Sequence, residues 1–236
     1  MGFIMSNNMP PPPPENSFTV GMLLYPGLTF LDLVGPQTVL SIFGKTMLLW
    51  KSLDPVRTES GNTVNPTTTF DECTDALDVL FVPGGYGTND AMQDEEILAF
   101  LKRAGTSARY ITSVCSGSIL LGMAGLLDGY KAATHWACYG ALAETGAIPV
   151  HERVVIDRNR ITGGGVTAGI DFGLKLLAEL CDEKAAQTAQ LIVEYDPAPP
   201  FSAGTPDRAT PEVVDAAKLL LGTMDNDMIG TLRTRR

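Results

Sequence analysis

Histidine is nearly absent from this chain: His135 and His151 are the only two in 236 residues, so any catalytic pair that needs an imidazole must use one of them. The four cysteines, at 73, 115, 138 and 181, include no C-x-x-C pair and have no histidine in ligand register. That spacing argues against structural zinc and against a disulfide framework. No apolar run reaches the roughly 18 residues of a membrane span, and the N-terminus lacks a basic stretch followed by an apolar one. Positive charge is short as well. Seventeen Lys and Arg against 27 Asp and Glu leave a formal charge of −10, and no basic cluster is longer than Arg233-Thr-Arg-Arg236. A nucleic-acid partner is therefore not expected. Neither G-x-G-x-x-G in register nor G-x-x-x-x-G-K-[ST] occurs, so the common phosphate-cradling motifs are missing too. With 44% hydrophobic residues and a mean hydropathy near zero, the chain reads as a soluble globule of a reducing cytoplasm that handles a small molecule.

The organisation reads as an α/β protein. Residues 1–16 carry five consecutive prolines, Pro10 to Pro14, and are expected to be a disordered leader. Residues 17–222 are expected to form one domain, and 223–236 a C-terminal tail. Three nearly continuous apolar runs, Phe18 to Leu24, Asp78 to Val82 and Arg109 to Val114, suit the middle of a parallel sheet. Helical patterns fall between and after them, at Pro36 to about Phe43, Asp94 to Ala104, Ser116 to Ala124 and Trp136 to Ala143. Arg153 to Asp157 and Arg160 to Thr162 read as a hairpin around Asn159. Further helices are expected from the glycine-rich run at 163–169 to about Cys181, from about Glu183 to Val193, and from Pro211 to Leu221. Strand and helix in alternation predict a wound, mostly parallel sheet.

In such sheets ligands bind at the carboxyl ends of the strands. The run Tyr110-Ile-Thr-Ser-Val-Cys-Ser-Gly-Ser118 places Cys115 where a β-branched strand ends and a helix begins. Small residues at Ser113 and Gly117 leave room for a sharp elbow that lifts the thiol clear of the backbone. The first free N–H groups of the following helix are expected to favour the thiolate. After the first strand, Asp32 is a lone carboxylate among Leu31, Leu33 and Val34, and desolvation there suits a group that exchanges protons near neutrality. The competing reading is an N-cap or a turn acceptor just before Pro36. Pro83-Gly-Gly85 brings backbone N–H groups within reach of a ligand, and the Ser116 amide would complete an oxyanion-type hole. The hydroxyls of Ser116 and Ser118 read as helix caps. His135 opens a helix and could reach the same edge, whereas His151 follows an edge segment; an ordinary structural hydrogen bond is the competing reading for both. Gly163 to Gly165 is read as close backbone packing beside the elbow.

Taken together, Asp32-Leu-Val-Gly-Pro36, Pro83-Gly-Gly85, Val114-Cys-Ser-Gly117, Thr134-His-Trp136 and Thr162-Gly-Gly-Gly165 resemble the ThiJ/PfpI superfamily, the class I glutamine-amidotransferase-like proteins. Within it the similarity is to the isonitrile (isocyanide) hydratases and runs from about Phe18 to about Ala203. The resemblance implies a flavodoxin-like α/β sandwich, a homodimer, and no cofactor or metal. It implies that Cys115 is the nucleophile and Asp32 its carboxylic partner. Gly85 and Ser116 would supply the oxyanion amides, and the loop from Gly164 to Val166 would border the site. Proteolytic members carry His directly after the nucleophile, where this chain has Ser116. Hydratases tend to carry Thr at the positions of Ser116 and Val34; Ser116 keeps the hydroxyl, so that change is expected to be mild, whereas Val34 removes one close to Asp32, so rate or substrate preference is expected to differ.

The activity so implied is hydration of an isocyanide to an N-substituted formamide through a Cys115 thioimidate. Two alternatives share the fold: glyoxalase-type hydration of 2-oxoaldehydes, which would favour a pair of Cys115 and His135, and a non-enzymatic sensor built on the same cysteine.

Overall fold

The computed structural model describes residues 18–73 and 77–235, so the expected leader lies outside the described residues. In chain order the strands are β1 Thr19–Leu23, β2 Lys45–Trp50, β3 Val56–Arg57, β4 Thr63–Val64, β5 Thr68–Thr69, β6 Val79–Val82, β7 Tyr110–Val114, β8 Lys131–Ala132, β9 Ile148–Pro149, β10 Val154–Asp157 and β11 Arg160–Gly163. The helices are α1 Phe30–Leu40, α2 Thr88–Ala91, α3 Glu95–Ser107, α4 Gly117–Met123, α5 Tyr139–Glu144, α6 Ala168–Leu180, α7 Glu183–Ile192, α8 Pro211–Leu221 and α9 Met224–Arg235.

Seven strands form the central sheet in the order β10-β11-β7-β6-β1-β2-β5, parallel throughout except for the antiparallel edge pair of β10 and β11. Every residue of β6 is buried, as are four of the five in both β1 and β7. Those strands are therefore covered on both faces, which is why their sequences run apolar without alternation. This architecture is the flavodoxin-like α/β sandwich expected from the sequence. None of the described helices is long and apolar enough to cross a membrane.

Strand order decides where chemistry can happen. The strands β1, β6, β7 and β11 are consecutive neighbours, so the loops leaving their carboxyl ends converge on one patch. Asp32, in the first turn of the helix that follows β1, Gly84 and Gly85 after β6, Cys115 after β7, and Gly164 to Val166 after β11 lie there. The two helices flanking the patch, α1 and α6, pack closely because glycine faces them. A Cβ at Gly169 would come 3.1 Å from Pro36 Cδ, and one at Gly173 would come 3.2 Å from Val39 Cβ.

Three elements differ from the expectation. The first helix begins at Phe30 rather than Pro36, which puts Asp32 in its first turn instead of in a preceding loop. Its start is made by Glu59, whose carboxylate Oε2 accepts the Phe30 N–H at 2.9 Å, a tertiary cap that local sequence does not signal. Pro36 is tolerated inside the helix near its middle. Residues 224–235, expected as a tail, form α9, which buries Met228 and Leu232 against the rest of the protein. An Asp-rich first turn and a mean hydropathy below zero mask that one-turn apolar spacing. The stretch at Trp136 opens as a single 3-10 turn, Trp136–Cys138, before α5.

Candidate active site

Cys115 sits on a strained turn. Its φ is +54°, in the left-handed region that residues with a Cβ rarely occupy, and it leads from β7 into α4. The sequence permits this because its neighbours lack side chains. A Cβ at Gly117 would lie 2.2 Å from the Val82 carbonyl oxygen, and one at Gly84 would lie 2.8 Å from Cys115 Cβ. Backbone bonds lock the turn from both sides. The Cys115 N–H donates to the carbonyls of Gly164 at 2.8 Å and Gly163 at 3.2 Å, and Thr134 Oγ1 donates to the Cys115 carbonyl at 2.8 Å. Gly163 to Gly165 thus act as close backbone packing, as read from the sequence; a Cβ at Gly163 would come 2.9 Å from Val114.

Asp32 reaches the elbow from α1 and is fully buried. Its Oδ2 accepts the Gly84 N–H at 2.9 Å, and its Oδ1 is buried with no formed hydrogen bond. Burial raises its pKa from the ordinary 3.8 to about 7, with the Glu59 carboxylate adding to the rise. The Gly84 amide and the Cys115 thiol, which the carboxyl faces, oppose it. The structure therefore brings Asp32 and Cys115 together and leaves on the carboxyl one unsatisfied oxygen that a proton would satisfy.

Burial works against the expected thiolate. Burial pushes the Cys115 thiol well above its ordinary range, and the negative charge of Asp32 pushes it further. The backbone amides of Ser116 and Val166 act on the sulfur in the other direction and are outweighed. With Cys115 only 7% exposed, desolvation outweighs two amides at the start of a seven-residue helix.

The remaining expectations separate clearly. The Ser116 and Val166 amides both face the sulfur. The Gly85 amide does not point into an open hole, because it donates to Ser116 Oγ at 3.0 Å. Ser116 Oγ accordingly caps no helix, and neither does Ser118, whose Oγ donates to the Ala133 carbonyl at 2.6 Å. His135 uses Nδ1 to accept the Ala137 N–H at 3.3 Å, and burial lowers its pKa. Among the described residues, the groups that act on Cys115 do not include it. His151 stacks on Tyr139 with ring centroids 3.8 Å apart. Val34 is half-buried in α1, with its carbonyl accepting Thr38 Oγ1.

Thr88 was not singled out from the sequence. It is a buried hydroxyl bonded to Ser116, and as a threonine in a four-residue helix it gives no periodic signal. Beside the Gly164 to Val166 loop opens a cleft of about 350 Å³, walled by Thr134, His135, Trp136, Val166 and, from the far side, Thr205 and Pro206. It is large enough for a small organic molecule.

The comparisons agree with this geometry. A family model described as DJ-1/PfpI matches residues 19–179. The isonitrile hydratase of Pseudomonas putida is 51% identical over 201 residues, covering 84% of this chain and 88% of that protein. An HTH-type transcriptional regulator of Pseudomonas aeruginosa, GbdR, is 32% identical over 185 residues, and the match spans only 50% of that protein. Among solved structures, a THiJ/PfpI family protein from Pseudomonas syringae superposes with a TM-score of 0.90 at 47% identity, covering 97% of this chain and 98% of that one. A strained cysteine elbow on a flavodoxin-like sheet and a family match across more than half the sequence lead to one assignment: the chain belongs to the DJ-1/PfpI family.

Proposed function

We propose that the protein hydrates isocyanides to N-substituted formamides without a cofactor, using Cys115 as nucleophile and Asp32 to carry protons. The observation that carries this reading is the unsatisfied Asp32 Oδ1 beside the thiol, on a carboxyl whose pKa is raised to about 7, in a chain 51% identical to an isonitrile hydratase. A neutral thiol next to a carboxyl that titrates near neutrality supplies a nucleophile and a proton carrier together.

Atoms balance along the route. The Cys115 sulfur attacks the terminal carbon of R–N≡C while its proton passes through Asp32 to that same carbon, giving the thioimidate R–N=CH–S–Cys115. Charge that develops on sulfur during the transfer is met by the Ser116 and Val166 amides. Asp32 then takes a proton from water as the water oxygen adds to the carbon, and passes that proton to the nitrogen, giving R–NH–CH(OH)–S–Cys115. Collapse breaks the C–S bond, returns the proton to sulfur and releases R–NH–CHO.

A purified sample given a simple alkyl or aryl isocyanide should release the formamide, and Cys115→Ala should release none. Absence of product from the wild type would overturn the reading. Glyoxalase-type chemistry through His135 is less well supported, because that imidazole is committed through Nδ1 to Ala137 and is not among the groups that act on the Cys115 sulfur.

The same reading includes a homodimer acting in the cytoplasm. Helix α8 buries none of its own residues, and Val213, Leu219 and Leu220 are exposed on it, as are Leu191 and Ile192 on α7 and Phe201 between the two helices. Exposed apolar side chains such as those on α8 fit burial against a second copy of the chain. Free thiols at Cys115, Cys138 and Cys181 fit a reducing compartment.

A further inference from the structure

Behind the elbow lies a cluster of hydroxyls that the proposed reaction does not consume. Thr88 and Ser116 are buried, as is Tyr25 in the loop after β1. The Gly85 N–H donates to Ser116 Oγ at 3.0 Å, Ser116 Oγ and Thr88 Oγ1 lie 2.7 Å apart, and Thr88 Oγ1 donates to the Gly85 carbonyl at 2.7 Å. With the threonine proton committed to that carbonyl, the proton between the two hydroxyls belongs to Ser116. The bonds then run in one sense around a closed ring that begins and ends on Gly85. Tyr25 steadies it, donating to the Pro83 carbonyl at 2.8 Å and lying 3.1 Å from Thr88 Oγ1.

The segment needs such a clamp. Gly85 has φ +152°, a conformation essentially confined to glycine, and a Cβ there would meet the Gly27 carbonyl oxygen at 2.4 Å. Glycine has many other backbone states available, so side chains from elsewhere must select this one. Directly before it, the Gly84 N–H is the donor that holds Asp32 Oδ2.

We propose that Thr88 is a positioning residue: its hydroxyl, acting through Ser116, fixes the Gly84 and Gly85 peptides and thereby holds the Gly84 amide on Asp32 Oδ2, which leaves Oδ1 facing the thiol. This rests on the reading of Asp32 as the proton carrier for Cys115. The titratable groups facing Asp32 are Cys115 from the elbow, Tyr25 from the loop after β1 and Glu59 from the loop between β3 and β4. Thr88 carries no charge, so replacing it alters the titration of Asp32 only through geometry.

The test uses the full chain with Thr88→Val and Thr88→Ser. The rate of Cys115 alkylation by iodoacetamide is followed by peptide mass mapping across the neutral pH range, and formamide production is followed in parallel. In the wild type the alkylation profile should carry an inflection at about pH 7 from Asp32. Thr88→Val should move it up by about one unit, the order of effect expected when a carboxylate loses a hydrogen-bond donor. Thr88→Ser keeps the hydroxyl and should restore the wild-type inflection. Ser116→Ala opens the ring from the other side, should give the same upward shift, and decides the matter if Thr88→Val does not fold. An unmoved inflection in the hydroxyl-free variants overturns the proposal, and so does an equal shift in Thr88→Ser, which would assign the effect to packing. If the inflection moves as expected while the wild type yields no formamide, the positioning role stands and the isocyanide reading alone falls.

Discussion

Replacing Asp32 by Asn removes one ionisation and keeps the shape. The amide oxygen still accepts the Gly84 N–H, and an amide nitrogen takes the place of the orphaned Oδ1. In the wild type the folded state holds the Asp32 proton more tightly than the unfolded chain, because its pKa is about 7 instead of 3.8. The native protein therefore binds more protons than the unfolded one between those values, and stability falls as pH rises through that window. A shift of about three units at 1.36 kcal/mol each is worth about 4 kcal/mol once both forms are ionised. Between pH 5 and pH 8 the part still to be lost is about 2–3 kcal/mol. Asn has no such slope, so the variant should gain on the wild type by that amount over the interval. For a chain of this size the gain corresponds to a widening of about 5–10 °C in the Tm difference.

The assay is thermal unfolding of both proteins at the two pH values, and comparing differences cancels any pH-independent effect of the substitution. Formamide production from an isocyanide is measured on the same samples. Turnover should fall at least ~10²-fold, the lower end of what a general acid–base group contributes. The expected result is thus a variant that is nearly inactive and whose Tm relative to the wild type rises from pH 5 to pH 8. A variant-minus-wild-type Tm that stays constant with pH would refute the assignment of a raised pKa to Asp32. One that falls as pH rises would reverse its sign.

Cys115→Ala or Ser should abolish turnover, whereas Cys73, Cys138 and Cys181 replaced one at a time should keep most of it; comparable losses at two positions would contradict the elbow assignment. His135→Gln should leave isocyanide hydration within about tenfold, since an orienting hydrogen bond is worth about 0.5–1.5 kcal/mol; inactivity on isocyanide with methylglyoxal turnover abolished would move the chemistry to the imidazole. Sedimentation at micromolar concentration should give about twice the chain mass of 25.2 kDa, and a clean monomer would show that the exposed face of α8 needs another occupant.

Much of this arrangement was legible in the sequence because it depends on patterns that sequence expresses directly. Apolar runs without alternation located the three central strands, and small residues around a cysteine located the elbow, since steric crowding leaves few residues that fit. What escaped was held by contacts distant in sequence. Asp32 was correctly picked as a desolvated acid, yet its place inside α1 depends on Glu59 capping Phe30 from 29 residues away. The Gly85 amide looked available because a glycine pair advertises an exposed backbone, and nothing local reveals that Ser116, 31 positions later, accepts it. The helix-terminal amides that favour the thiolate are local and legible, whereas the burial of the sulfur that opposes it is a property of the whole sheet edge.

The proton inventory at the elbow constrains how the reaction starts. The groups that act on the Cys115 sulfur are two amides, which favour charge, and burial, Asp32 and Cys138, which oppose it; no Lys, Arg or His is among them. A thiolate formed in advance would therefore lack a counter-cation and would sit beside a carboxyl able to ionise. In the proposed reaction, attack on carbon proceeds together with loss of the thiol proton, and Asp32, which faces the sulfur, would accept it. Its pKa near 7 fits that part, since a carboxyl at 3.8 would be too weak a base for a buried thiol. In that scheme, passing the same proton to the isocyanide carbon would reset the carboxylate before water arrives, so that one acid would serve both halves of the cycle. Such coupling would tie the nucleophile's reactivity to the ionisation of Asp32, and the burial that opposes charge on the thiol is also what raises the pKa of its partner.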